Sequence, residues 1–208
     1  MVKVSIHIES PNVDNQSKNI NDINLYDSTI DFTRAFSLLF NQNDNKTEIG
    51  IIPLGSIFNA QNKLKEIIKS HSKDVLLIDL DAPKSRKEER LKNNYSIAPD
   101  KVFFMIQKME SWILSQPEVI ENYCNESNFI RKKDGERIEF DIKAEEINHP
   151  EQKLNSLFMK YFIDRNGKKA KYHKTKVAPK LIEKLSLSKL IEDFDEVENL
   201  MKTSKKIS

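Results

Sequence analysis

The sequence predicts an α/β protein with a mostly parallel four-stranded sheet flanked by helices, a helical C-terminal extension and a small hairpin. Three observations predict it. Strand-like and helix-like segments alternate through the first half of the chain, and that order favours parallel crossovers. The strand-like segments are nearly continuous apolar runs, which is typical of strands buried on both faces. The length of 208 residues suits one domain with an appendage, so we expect an α/β core at residues 1–108 and a helical extension at 109–208.

The elements of the predicted core follow in chain order. The four strand-like segments are VKVSIHIE, EIGIIPLG, DVLLIDLD and KVFFMIQ. The three helical segments between them are DFTRAFSLLF, residues 57–69 and KSRKEERLKNN. Residues 10–28 are rich in Asn, Asp and Ser and have no clear period, so they predict a long loop.

The pattern changes after residue 107. A helical pair is broken at Pro117, which suits the first turn of a new helix. The segment FIRKKDGERIEFDI predicts a hairpin with its turn at Asp134 and Gly135. HPEQKLNSLFMKYF predicts another helix, and two more are expected at about 177–185 and 188–202.

Composition excludes several classes of protein. No apolar run approaches the roughly 20 residues that cross a bilayer, and the N-terminus has no signal-peptide pattern. A single cysteine, Cys124, excludes an intramolecular disulfide framework. We therefore expect a cytoplasmic protein without membrane contact. No phosphate-binding loop, dinucleotide fingerprint or nucleophile elbow occurs, so those enzyme classes have no support.

Three carboxylates follow two of the predicted strands. Glu9 ends the first strand, and Asp79 and Asp81 end the third. In a parallel sheet, ligands bind beyond the carboxyl ends of the strands, and side chains two residues apart share one side of an extended chain. Carboxylates that meet in this way favour Mg²⁺ or Mn²⁺ and, through the metal, a phosphate group. The alternative is that the aspartates only cap the following loop.

Glutamate after the first strand and D-x-D after a later one resemble the Toprim fold of topoisomerases, primases and certain nucleases. The segments FFMIQKMESWILSQPEVIENY, HPEQKLNSLF and YHKTKVAPKLIEKL are similar to a prokaryotic Toprim-like family of unassigned function. The resemblance implies a Mg²⁺-dependent nuclease that cuts DNA or RNA phosphodiesters. It also implies a toxic effector of an anti-phage system that works with an ABC-type ATPase partner.

The resemblance also implies roles for single residues. Glu9 matches the Toprim glutamate, a general acid/base or metal ligand, and Asp79 and Asp81 match the metal-binding pair. Glu110 matches the glutamate of an E-x-W motif, although an acidic residue at a helix start also has a purely structural explanation. Trp112 is expected to be a core or rim anchor.

The sequence departs from the Toprim pattern after Glu9. Ser10 stands where the family usually has glycine, and Val13 stands where a second acid is common. Asp27 and Asp31 are the candidates for that second acid. This departure keeps a second hypothesis open, in which the protein is a non-catalytic Toprim-like module that docks on an ATPase or on nucleic acid.

Basic residues form two candidate surfaces for nucleic acid. One lies just beyond the D-x-D and contains Lys84 and Arg86. The members of the other surround Tyr172, which is a candidate for base stacking, and they are Lys171, His173, Lys174 and Lys176. The alternative for both surfaces is a solvated helix face without a partner.

Overall fold

A computed structural model describes residues 2–9, 20–42, 47–55, 57–70, 73–127, 129–132 and 136–207. Its centre is a four-stranded sheet in which every strand is parallel to its neighbours, which confirms the predicted fold class. The strands are β1 (Val2–Ile8), β2 (Thr47–Pro53), β3 (Val75–Asp79) and β4 (Val102–Met105). Their order across the sheet is β2-β1-β3-β4. The strand β1, which ends just before Glu9, is therefore a neighbour of β3, which contains Asp79.

Three helices connect these strands: α1 (Ile20–Phe40), α2 (Ile57–Lys69) and α3 (Lys87–Asn94). The prediction of a loop over residues 10–28 was wrong from Ile20 onwards, because α1 begins there. In the sequence, Leu25 stands two helical turns before Phe32 and so continues its apolar face, but the surrounding Asn, Asp and Ser residues obscured this pattern. Residues 10–19 lie outside the described part of the chain.

The sheet separates two hydrophobic clusters, which explains why its strands are apolar throughout. Alternate residues of β3 enter opposite clusters, with Leu77 on the side of α1 and Leu76 and Ile78 on the side of α2 and α3. Every residue of β3 is buried. Because both faces are covered, a polar residue in this strand must have a specific partner, and Asp79 is the one polar residue in it.

The helical extension packs directly on the sheet and its helices. It contains α4 (Glu110–Leu114), α5 (Pro117–Glu126), α6 (Pro150–Tyr161), α7 (Lys174–Ile182), α8 (Leu187–Asp193) and α9 (Asp195–Ile207). Helix α7 packs against α1, and α9 packs against the edge strand β4. The single helix expected at 188–202 is divided, because Phe194 is buried in an extended conformation between α8 and α9.

The second sheet differs from the predicted hairpin. Strand β5 (Ile130–Arg131) pairs antiparallel with β6 (Phe162–Ile163) instead of with the segment that follows the turn. Residues 136–142 form no strand, although Ile138 is buried and its N–H donates to the Glu121 carboxylate. The predicted turn at Asp134 and Gly135 lies outside the described residues.

A buried carboxylate joins the extension to the sheet. Glu196, near the start of α9, is 4% exposed. Its Oε2 accepts a hydrogen bond from the backbone N–H of Phe104 at 3.0 Å, and its Oε1 accepts one from the Lys87 ammonium. Glu196 therefore accepts hydrogen bonds both from a backbone amide of the edge strand β4 and from a lysine of α3.

The aromatic core confirms the structural role of Trp112. Its ring is fully buried and makes edge contacts with Phe36 and Phe40, both at 6.3 Å between ring centroids. Cys124 is buried as well, and burial raises the pKa of its thiol to about 12, which leaves it unreactive. Within the described residues, no helix combines the length and apolar character that crossing a membrane requires.

Candidate functional site

The carboxyl ends of β1 and β3 bring Glu9 and Asp79 together, as predicted. The Glu9 N–H donates to the carbonyl of Leu77 at 3.2 Å, so Glu9 continues the pairing of β1 with β3. The Asp79 N–H in turn donates to Glu9 Oε2 at 3.2 Å. Burial raises the pKa of Glu9, and this hydrogen bond only partly opposes the shift. The Glu9 carboxylate therefore takes up a proton at a pH closer to neutral than a solvated glutamate does.

Asp79 is the buried centre of the site. Its Oδ1 accepts a hydrogen bond from the Met109 N–H at 3.0 Å, and its Oδ2 lies 3.9 Å from Lys174 Nζ. Burial raises the pKa of Asp79 to about 8. Lys174 lowers it, but Glu110 and the other site acids raise it further. The Asp79 carboxyl therefore retains a proton at neutral pH unless another cation reaches it.

Asp81 lies beyond the strand end and differs from the expected geometry. The extended backbone on which the same-side expectation rested ends at Asp79, and Asp81 has the left-handed φ of 54°. Its side chain is 45% exposed, and its Oδ1 lies 3.2 Å from Lys108 Nζ. Gln107, beyond the neighbouring strand, has a φ of 60°. Non-glycine residues in this region are strained, and such strain is concentrated at functional sites.

Glu110 is completely buried at the start of α4 and faces the same cluster. The Tyr172 hydroxyl donates to Glu110 Oε1 at 3.1 Å, and Lys174 Nζ lies 3.7 Å from the same oxygen. Glu110 Oε2 has no hydrogen-bond partner among the residues described. A buried carboxylate oxygen without a donor is costly, so this atom is suited to a further donor or cation.

Lys174 belongs to this cluster, a position that the sequence did not reveal. Burial disfavours its charged form, but Glu110 and Asp79 outweigh burial and the pKa of Lys174 is raised. It was predicted as one of several surface lysines, because its spacing in the basic segment is no different from theirs. Tyr172 also differs from its prediction, since it is 7% exposed and cannot offer its ring for base stacking. Its position between Lys171 and His173 masked its role as a donor to Glu110.

The donor set suits Mg²⁺ or Mn²⁺ in its chemistry, because it consists of carboxylate oxygens beside an unpartnered Glu110 oxygen. As the side chains stand, no three His, Cys, Asp or Glu groups within the described ranges form a metal site. Lys174 and Lys108 provide the nearest positive charges instead. Mg²⁺ commonly uses only one or two protein carboxylates and completes its shell with water and substrate oxygens.

A cavity of about 230 Å³ opens beside the acids. Glu9, Asp79 and Lys174 contribute its charged wall, while the remaining lining comes from Phe32, Phe36, Met105, Met109 and Thr175. Reacting groups at this edge would therefore meet a partly apolar wall. Such a wall reduces the local dielectric and strengthens the electrostatic interactions of the charged groups.

The other predicted residues lie around or away from this cluster. Lys171, His173 and Lys176 are exposed on either side of Lys174 in the sequence. Lys84 pairs with Asp195 at 2.7 Å and also with Glu145, and Arg86 pairs with Glu89.

The candidates for the second acid do not extend the cluster. Asp31 is exposed beside Arg34, Tyr123 and Glu183, on another surface. The side chain of Asp27, and Ser10 and Val13 entirely, lie outside what the structure describes.

Comparison with known families matches most of the chain to one of them. The family model described as "Domain of unknown function (DUF4276)" matches residues 15–203. This range contains Asp79, Asp81, Glu110 and Lys174, and it begins after Glu9. No curated protein and no solved structure matches the chain. Because the match covers far more than half of the sequence, the chain belongs to the DUF4276 family.

Proposed function

We propose that the protein is a metal-dependent hydrolase of DNA or RNA phosphodiesters, a nuclease of Toprim type. One observation carries the proposal: separate parts of the sequence bring Glu9, Asp79, Glu110 and Lys174 to the carboxyl edge of two adjacent parallel strands. Ligands bind at this edge in α/β proteins. Acidic and basic groups held together there suit the binding and proton transfers of phosphoryl chemistry.

Asp79, Glu9 and Asp81 are the residues that would hold Mg²⁺ or Mn²⁺. When bound, such an ion supplies stabilisation of the negative charge on the phosphoryl group. Glu9 is partly accessible, and its raised pKa suits it to take a proton from the attacking water and return it. The Lys174 ammonium is placed to hold a phosphate oxygen against the surrounding acids.

The position of Lys174 implies an internal counter-ion role before substrate binds. In the free protein its ammonium lies 3.7 Å from Glu110, and it lies 3.9 Å from Asp79, whose raised pKa favours the neutral carboxyl. These distances exceed those of a close ion pair, so the ammonium can exchange partners at small cost. A phosphate oxygen would be such a partner, and Asp79 would be among the residues that hold the metal, whose charge would favour the ionised carboxylate.

The Toprim-like resemblance extends the proposal to a biological setting. It implies an effector of anti-phage defence that acts with an ABC-type ATPase. The second candidate function is a non-catalytic module that docks on the ATPase or on nucleic acid. It is favoured by the two lysines, Lys174 and Lys108, which already balance part of the acidic charge.

Metal binding distinguishes the two candidates without depending on a known substrate. We expect Mn²⁺, followed by its electron paramagnetic resonance signal, to bind the wild-type protein with an affinity that Asp79→Asn lowers more than tenfold. The physical reason is the loss of a central carboxylate ligand. Asp100→Asn is the matched control, because Asp100 is exposed and lies before β4 at the opposite end of that strand.

Cleavage completes the test of the proposed function. The protein is incubated with single- and double-stranded DNA and RNA in Mn²⁺ or Mg²⁺, beside Asp79→Asn. Cleavage by the wild type alone supports the nuclease. Binding of neither Mn²⁺ nor Mg²⁺ at millimolar concentration, with equal product from both proteins, would exclude it and favour the docking module.

The exposed lysines near Lys174 predict salt-dependent binding of nucleic acid. Lys168, Lys171 and Lys176 are exposed, and each phosphate contact contributes about −0.7 to −0.9 to the slope of log affinity against log salt. Replacing all three with alanine should flatten that slope by about two to three units. Lys174 is left unchanged because it belongs to the acidic cluster.

The measurement is fluorescence anisotropy of a labelled oligonucleotide in EDTA at several salt concentrations. A control triple variant replaces Lys65, Lys69 and Lys92, which are exposed on α2 and α3. If the slope of log affinity against log salt falls equally in both variants, binding depends on net charge and not on the segment beside the site.

A further inference from the structure

A groove of about 530 Å³ lies away from the acidic cluster, where the α4–α5 junction meets the segment 138–145 and the end of α8. Its apolar lining includes Pro117 and Phe140, with Leu114 and Phe194 almost completely buried beneath them. Ile142, also in the lining, is 53% exposed, which is unusual for a large aliphatic side chain. The size of the groove is within the range of about 300–1,000 Å³ that ligand sites occupy.

The charged residues that line this groove are mostly acidic. Four carboxylates stand against one lysine, Lys143, and they are Glu139, Glu145, Glu192 and Asp193. Glu145 interacts with Lys84 at 3.5 Å. Glu139 has no ion-pair partner among the described residues. Glu192 and Asp193 form no close ion pair there, but both lie within electrostatic range of Lys189, whose ammonium pairs with Glu118. Apolar surface beside an excess of negative charge favours an apolar, basic ligand.

The segment that forms one wall has the composition of a strand but no strand partner. Ile138, Phe140 and Ile142 alternate with Glu139 and Asp141, the pattern that predicted half of a hairpin. In the described part of the chain this segment belongs to no sheet, and β5 pairs with β6 instead. An alternating segment without a partner strand offers side chains and backbone groups to an added peptide.

We propose that this groove binds a peptide segment of a partner protein in which lysine or arginine alternates with apolar residues. The apolar residues would cover Phe140 and Ile142, and the cations would face Glu139 and Glu192. A groove-to-groove contact between two copies of this chain is disfavoured, because four acids and one lysine of each copy would face the same set. Nucleic acid is disfavoured for the same reason of charge. The inference does not depend on the proposed nuclease activity, since it uses none of the residues of the acidic cluster.

The test uses the full chain and two fluorescein-labelled peptides, one of alternating lysine and leucine and one of alternating glutamate and leucine. We expect the lysine peptide to bind the wild type in fluorescence anisotropy, and the glutamate peptide not to bind. Glu139→Lys with Glu192→Lys should weaken binding more than tenfold. Glu88→Lys with Asp100→Lys is the matched control, because it changes net charge equally at exposed sites on α3 and before β4.

Two further measurements locate the bound peptide. Ile142→Ser should weaken binding without any change of charge, which tests the apolar part of the groove. Hydrogen exchange should show protection confined to residues 138–145 and 190–194. The proposal is overturned if the lysine peptide fails to bind at 100 µM, or if both charge-reversal variants bind it equally. It is also overturned if sedimentation shows a wild-type dimer that the groove variant abolishes, because the occupant is then a second copy.

Discussion

Replacing Asp79 with asparagine should stabilise the protein and, at the same time, remove the phosphodiester cleavage that we propose for this site. In an unfolded chain an aspartate ionises near pH ~3.9. Burial is the main reason that the pKa of Asp79 is about 8 in the fold, with Glu110, Glu9 and Asp81 raising it further against the effect of Lys174. Between these two values the folded protein keeps a proton that the unfolded chain has released. The free energy of unfolding therefore falls as the pH rises through this window. The loss of stability is complete above the pKa that Asp79 has in the fold.

Asparagine removes that cost because it cannot ionise, and its amide oxygen can still accept the Met109 N–H. We expect Asp79→Asn to be more stable than wild type by on the order of a few kcal/mol near pH ~9, and nearly equal to it near pH ~4. Urea unfolding in EDTA at both pH values measures the difference. In the presence of Mg²⁺ or Mn²⁺ the same variant should lose most of the proposed cleavage, because it lacks a ligand for the ion.

The opposite signs of the two effects make this prediction diagnostic. Replacing a residue that serves only folding lowers the stability of the protein. Replacing a residue that serves function can raise it, because functional residues often destabilise the fold. Asp100→Asn provides the control, with no expected change in either measurement. A variant that is less stable than wild type near pH ~9 would show that Asp79 is ionised and well compensated in the free protein.

Replacing Glu196 with alanine should cause a large loss of stability without touching the acidic cluster. The substitution leaves the Phe104 N–H without its acceptor and the Lys87 ammonium without its carboxylate, both close to the buried edge of β4. Removing one partner of a buried ion pair commonly costs about 3–5 kcal/mol. Because the Lys87 side chain is 24% exposed and can turn towards water, we expect the lower end of that range.

The matched control is Glu198→Ala in the same helix. Glu198 pairs with Lys202 one helical turn away, where both side chains are largely in contact with solvent. Exposed pairs of this kind contribute about 0.3–0.5 kcal/mol. The two substitutions should therefore lower the free energy of unfolding by amounts that differ several-fold. Urea unfolding of both variants at neutral pH measures this difference. Equal effects would mean that Glu196 is not the contact that joins the extension to the sheet.

The parallel core was predictable because its signals are local and strong. The apolar strands and the intervening periodic helices specify the α/β order, and Glu9 and Asp79 could be placed at one edge by the rules of parallel sheets. Asp81 was less predictable, because its left-handed backbone depends on how the chain leaves β3. Sequence alternation holds only while the chain remains extended.

The second half of the site depends on tertiary contacts that no local pattern reports. Lys174 and Tyr172 occur in a basic segment whose neighbours are exposed. Lys174 is placed near Glu110 by α7, which packs on α1, while the Tyr172 N–H donates to the Asn155 side chain of α6. Likewise, Ile138 to Ile142 alternate as a strand does, but Phe162–Ile163 pairs with β5 in their place. A β pattern indicates which surface suits pairing and does not identify the partner.

The same arrangement has a consequence for the order in which the site is assembled. Glu9 and Asp79 are synthesised well before Lys174, whose ammonium lies near both Asp79 and Glu110. A parallel sheet already requires distant segments to meet before it is stable, which slows folding. Until α7 has packed on α1, Glu110 lacks this neighbouring cation. Early folding intermediates should therefore carry the acids of this edge without their basic neighbour.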